Sequence, residues 1–120
     1  MSKRVAGKIA LVTGGGSGIG RASSMTLARE DATVVVTDLN GDTAAETVSL
    51  IVEAGGKARS MVQDTTDEAV WQEVMASIRE TEGRLDIVLN NAGVSAGGVL
   101  LKDTTLEDWR FVNRANVEGV

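Results

Sequence analysis

The residues best placed to do chemistry lie in Thr13-Gly14-Gly15-Gly16-Ser17-Gly18-Ile19-Gly20, directly after the apolar run Ile9-Ala10-Leu11-Val12. A helix N-terminus presents free N–H groups and a partial positive charge, so it can hold a pyrophosphate. Glycines in the turn that leads into it let the backbone bend sharply and let phosphates approach with no Cβ in the way. The spacing is not G-x-G-x-x-G, because the sixth position counted from Gly14 is Ile19. It is T-G-x-x-x-G-x-G, carried by Thr13, Gly14, Gly18 and Gly20. A Walker-type phosphate loop is excluded, since no Lys-Ser/Thr pair follows Gly20. The competing reading is a flexible loop; its place between a strand and a helix favours a nucleotide site.

A second candidate is Asp38, which closes the β-branched run Thr33-Val34-Val35-Val36-Thr37 and lies 18 residues after Gly20. An acid at the end of the second strand of a dinucleotide-binding fold can hydrogen-bond both ribose hydroxyls of NAD. The same carboxylate repels the 2′-phosphate of NADP. Leu39 follows it and Gly15-Gly16 brings no cation, so NAD is expected over NADP. Taken alone, Asp38 also fits a solvated aspartate opening the turn Asp38-Leu39-Asn40-Gly41.

These residues need a frame, and the chain alternates short apolar runs with amphipathic ones. Ile9 to Val12, Thr33 to Thr37 and Leu85 to Leu89 each read as a strand buried on both faces, with Ala58 to Gln63 a weaker strand. Ile19 to Glu30 reads as the first helix, with Asp31 at a left-handed cap that glycine would fit better. Val48, Ile51 and Val52 make a helical stripe stopped by Gly55-Gly56. Thr65 and Glu68 have capping-box spacing, ahead of a stripe of Val70, Val74 and Ile78 flanked by Trp71 and Met75, which read as core. A last helix is expected from about Thr105. The alternation predicts one α/β domain over residues 1–120: a Rossmann-like, doubly wound parallel sheet with helices on both faces.

Composition narrows the classes. The 120 residues include 14 glycines, against about 8 at usual frequencies. The absence of cysteine excludes disulfides and thiolate chemistry, and the absence of histidine removes the commonest general base and metal ligand. No metal site is therefore expected. A formal net charge of −5 argues against nucleic acid as a partner. No apolar run approaches the roughly 18 residues of a membrane span, and none follows the basic N-terminus as a signal peptide would require, so a cytoplasmic protein is expected.

Three later segments complete a pattern: Asp64-Thr65 after the third strand, Asn90-Asn91-Ala92-Gly93 after the fourth, and Asn116 within Trp109 to Gly119. With Thr13 to Gly20, the chain resembles the N-terminal half of the short-chain dehydrogenase/reductase family. The resemblance implies that Gly14, Ser17, Gly18, Ile19 and Gly20 face the cofactor, with Asp38 and Leu39 at its ribose. It implies that Asp64 contacts the adenine ring, that Thr65 contributes main chain, and that Asn91, Ala92 and Gly93 line the adenosine ribose pocket. It also implies that Asn116 belongs to a catalytic tetrad of Asn, Ser, Tyr and Lys. Asn113 competes for that place, and Asn90-Asn91 alone would fit a turn.

The family's serine and Tyr-x-x-x-Lys motif lie further along than Val120, and the 120 residues hold no tyrosine. The resemblance thus implies part of a longer chain: an NAD-dependent enzyme that moves hydride between a secondary alcohol or ketone and NAD, a homodimer or homotetramer at full length. The 120 residues alone are expected to show no turnover. The alternatives are a non-catalytic NAD-binding module and a protein that completes its sheet with a partner strand.

Overall fold

The computed structural model describes residues 3–93 and 105–120. The chain runs β1 (Ile9–Thr13), α1 (Gly18–Arg29), β2 (Thr33–Asp38), α2 (Gly41–Glu53), β3 (Lys57–Val62), α3 (Glu68–Thr81), β4 (Ile87–Leu89) and α4 (Leu106–Asn113), then a π-helical turn, Arg114–Glu118. The strands form one parallel sheet in the order β3-β2-β1-β4. The chain moves outward from β1 to β3 and returns to the other side of β1. Strand order therefore reverses between β1 and β4, and ligands of such sheets bind there, outside the carboxyl ends.

Register sets the two faces. Leu11 lies beside Val35 and Val12 beside Val36. Side chains alternate along a strand, so Val12, Val34 and Val36 pack on one face with Ala28 of α1 and Ala44 and Ile51 of α2. Leu11 and Val35 pack on the other with Val74 and Ile78 of α3. The expected doubly wound α/β sheet is what forms, and Trp71 and Met75 join the α3-side core as read.

Several local expectations are corrected. The run Leu85 to Leu89 is not a strand buried on both faces: β4 has three residues, and Val88 is 43 % exposed because, among the described residues, β4 pairs only with β1. Val52 falls outside its stripe and is exposed; Ile51 carries the burial. Thr65 does not cap α3. Asp67 does, its Oδ1 accepting from the N–H groups of Ala69 and Val70, while Thr66 is drawn back to Asp64. A true capping box opens α4 instead, between Thr105 and Asp108. Among the described residues no helix is long and apolar enough to cross a membrane.

Candidate functional site

The glycine turn is held from behind by its carbonyls. Gly14 O accepts from Asn91 Nδ2 at 3.0 Å, Gly15 O from Thr47 Oγ1 at 2.8 Å, and Gly16 O from Arg21 Nη2 at 2.6 Å. These anchors come from the segment after β4, from α2 and from α1. Arg21 Nε also donates to Thr47 Oγ1 at 2.9 Å, so two of the anchors are coupled. Fixing the carbonyls orients the turn's peptide planes before any ligand arrives. Arg21 and Thr47 carry no motif of their own; their role arises from helix–helix packing.

Two glycines are required by geometry. Gly14 has φ +65, and a Cβ on it would lie 2.9 Å from Ala92 Cα. A Cβ on Gly20 would run into the Gly14 carbonyl. The start of α1 thus closes tightly on the end of β1. On its outer side, by contrast, a Cβ on Gly18 would meet nothing within 4 Å, and Ile19 is 77 % exposed. Ser17, at the N-cap, makes no side-chain cap. Asn40, Asp67 and Thr105 cap α2, α3 and α4 with their side chains. The first N–H groups of α1 lack intrahelical acceptors, and here they open onto space.

Thr13 ties β1 to the segment after β4. Its Oγ1 accepts from Asn91 N at 3.1 Å and Ala92 N at 3.2 Å. Asn91 therefore positions the turn through its side chain while its backbone is pinned by Thr13.

Asp38 meets the same turn from β2. Its Oδ2 accepts from Gly16 N at 2.9 Å and its Oδ1 from Asn40 N at 3.1 Å. A carboxylate offers about four acceptor positions, so capacity remains for two hydroxyl groups. Arg21, the guanidinium bonded to the turn, donates from Nε to Thr47 and from Nη2 to Gly16 and Thr43, and its Nη2 lies 3.7 Å from Glu46 Oε2.

Asp64 follows β3. Its Oδ1 accepts from Thr66 Oγ1 at 2.6 Å and Thr66 N at 2.9 Å. The hydroxyl first, then the N–H, then the charge of Arg114 hold its carboxyl below the usual carboxylate range. Thr65 is fixed by its carbonyl, which accepts from Trp71 Nε1 at 2.8 Å.

These residues surround one cleft of about 330 Å³ at the carboxyl edge of the sheet. Gly14, Ser17, Asp38, Leu39, Asp64, Thr65, Asn91, Ala92 and Gly93 all line it, as do Gln63, Thr66 and Ala115. Gly18, Ile19 and Gly20 stand at the adjoining helix start. Asn116 lies in the π-helical turn, where Gly119 N reaches back five residues to Arg114 O at 2.9 Å. Such turns recur at functional sites. A Cβ on Gly93 would lie 3.0 Å from Asn116 Oδ1, which places the asparagine beside the segment that follows β4. Gln63 carried no sequence signal beyond preceding Asp64.

The sheet order, the switch-point cleft and the glycine turn define a Rossmann-like α/β fold. Residues 8–120 match the model of the short chain dehydrogenase family, and the chain belongs to that family. It is 39 % identical over 112 residues to a 3β-hydroxysteroid dehydrogenase of Mediterraneibacter gnavus, covering 93 % of this chain and 41 % of that protein. It is 40 % identical over 120 residues to a 2,5-dichloro-2,5-cyclohexadiene-1,4-diol dehydrogenase of Sphingobium indicum, covering 100 % and 48 %. Among solved structures, a citronellol catabolism dehydrogenase of Pseudomonas aeruginosa PAO1 superposes with a TM-score of 0.90 at 31 % identity, covering 99 % and 48 %. The chain thus spans about half the length of the curated relatives it matches.

Proposed function

We propose that this chain forms the cofactor-binding part of an NAD-dependent oxidoreductase acting on a secondary alcohol or ketone. The observation that carries this is the uncapped start of α1 opening onto space beside Asp38, whose carboxylate already holds Gly16 N–H. The N–H groups there suit a pyrophosphate, and the remaining acceptor capacity of Asp38 suits a ribose diol. A 2′-phosphate would meet that carboxylate, while Arg21 Nε and Nη2 are bonded to Thr47, Gly16 and Thr43. The nicotinamide would supply the hydride donor or acceptor.

The chain's own residues bind and orient. Gly14 to Gly20 seat the phosphates, Asp38 and Leu39 flank the ribose, Asp64 and Thr65 face the adenine, and Asn91 to Gly93 close the wall. Asn116 is the one member of the catalytic set here. An amide neither takes nor gives a proton near neutral pH, so Asn116 orients a proton relay that other residues complete. The 120 residues, which include no tyrosine, therefore bind cofactor without turnover.

Calorimetric titration with NAD and NADP tests the reading. Saturable NAD binding, tighter than NADP, is the expected result. Absence of NAD binding by folded protein, or a preference for NADP, would reject it.

A further inference from the structure

We propose that Asn40-Gly41, at the turn from β2 into α2, is a site of spontaneous covalent modification, where loss of the Asn40 amide to water gives aspartate or isoaspartate and the isoaspartate weakens the neighbouring ribose site. The modification needs no ligand; its effect on binding rests on the nucleotide reading. Asn40 is the one asparagine of the 120 residues that is followed by glycine. It is exposed. Its Oδ1 accepts from Asp42 N at 3.0 Å and Thr43 N at 3.2 Å and so caps α2, which leaves the leaving group, Nδ2, outside the cap. Gly41 opens α2, so its N–H has no intrahelical acceptor. Having no side chain, it does not screen its own nitrogen. A Cβ there would lie 2.8 Å from Val62 Cγ2, so packing against the end of β3 opposes a bulkier residue.

The step balances with water alone. Gly41 N bonds to Asn40 Cγ and gives up its proton, the Cγ–Nδ2 bond breaks, and ammonia leaves. Water then opens the five-membered succinimide. Cleavage at Cγ restores the peptide with an aspartate side chain. Cleavage at the original backbone carbonyl leaves the chain running through Cγ, as isoaspartate. Ring closure must turn Gly41 N towards Cγ from the extended conformation of Asn40, φ −94 and ψ 104. That rotation takes Gly41 out of the helix, so the reaction passes through fraying of the first turn of α2, an opening that helix ends undergo readily. The two products differ at the site. Aspartate caps as well as asparagine. Isoaspartate adds a carbon to the backbone and turns the Asn40 carbonyl, which accepts from Thr43 Oγ1 at 3.1 Å, into a free carboxylate. The loop is then no longer held at α2, and the bond from Asn40 N to Asp38 Oδ1, 3.1 Å, is lost with it.

The test ages the full chain in mildly alkaline buffer and follows the tryptic peptide Glu30 to Lys57, which holds Asn40 and no other asparagine or glutamine. Mass spectrometry should show the amide lost at Asn40 before any other asparagine of the chain, and isoaspartyl methyltransferase should label the product. The double variant Gly41→Ala, Val62→Ala makes room for the new Cβ and should convert several-fold more slowly. The isoaspartyl fraction should bind NAD about 5- to 10-fold more weakly than fresh protein, the worth of one hydrogen bond. Asn40→Ser keeps a capping oxygen and, aged alongside, should bind NAD as it does when fresh. An unchanged Asn40 peptide while another asparagine converts would overturn the proposal, and so would equal conversion in the double variant. Isoaspartyl protein that binds NAD within about twofold of fresh protein would overturn its effect on the site. Fresh, folded protein that binds no NAD would instead reject the nucleotide reading, and the mass measurement would still decide the modification.

Discussion

Asp38 acts twice at the residue scale: it accepts from Gly16 N–H and so shapes the turn, and it keeps acceptor capacity for a ligand. Asp38→Asn removes the charge while roughly keeping the shape. A hydrogen bond to a charged group is worth about 1.5–3 kcal/mol, so NAD should bind about 10- to 100-fold more weakly. NADP should lose less, since repulsion of its 2′-phosphate is relieved, and the ratio of the two dissociation constants is the readout. Asp64 provides a pH signature. Its folded pKa is lowered, first by the Thr66 hydroxyl, so the ionised form is favoured by folding. That contribution is complete above the ordinary value of 3.8 and is lost as pH falls through the lower folded value. Thr66→Val should raise the Asp64 pKa towards 3.8 and move the acid-unfolding midpoint to higher pH. NMR titration of the Asp64 carboxyl carbon, alongside acid unfolding, checks both.

At the scale of elements, what the sequence made legible was decided by local chemistry. The β-branched run to Thr37 has little choice but a buried strand, and Gly55 at φ +89 closes α2 where Gly55-Gly56 predicted a stop. The cap of α3 is ambiguous in sequence because Thr65, Thr66 and Asp67 can all cap. Asp64 decided the matter by taking Thr66. Asp31 is where sequence and structure agree on a weakness. It has φ +76, and its N–H and that of Ala32 close the end of α1 onto Ala28 O and Leu27 O at 3.0 Å each. A side chain in that conformation is strained, and a negative charge at a helix C-terminus opposes the dipole. Asp31→Gly keeps both backbone bonds and removes both penalties. We expect a net gain of about 0.5–1 kcal/mol after the glycine's entropy in the unfolded chain. Urea unfolding should show a higher midpoint with an unchanged slope.

At the scale of the whole molecule, the candidate site exists only when distant parts of the chain are assembled. The motifs that line the candidate site were legible because their spacing is local; the anchors Arg21 and Thr47 and the buried Gln63 were not, because their contacts are tertiary. Asn91, Thr47 and Arg21 must all be in place to hold the carbonyls of Gly14, Gly15 and Gly16. The unfolded chain has no such arrangement, so a ligand of the turn binds the folded state alone and stabilises it by mass action. At a concentration about 100 times its dissociation constant, NAD should add about 2.7 kcal/mol. For a domain of this size that raises Tm by about 10 °C. NADP at equal concentration should raise it less, and Asp38→Asn should lose about half or more of the NAD shift while keeping a normal melt without ligand. Arg21→Met tests the anchoring: it leaves every residue of the proposed ligand contact unchanged, yet should reduce the NAD-induced shift because the turn is no longer held. A full-sized shift in Arg21→Met would mean that the turn organises itself and that the carbonyl anchors are incidental to binding.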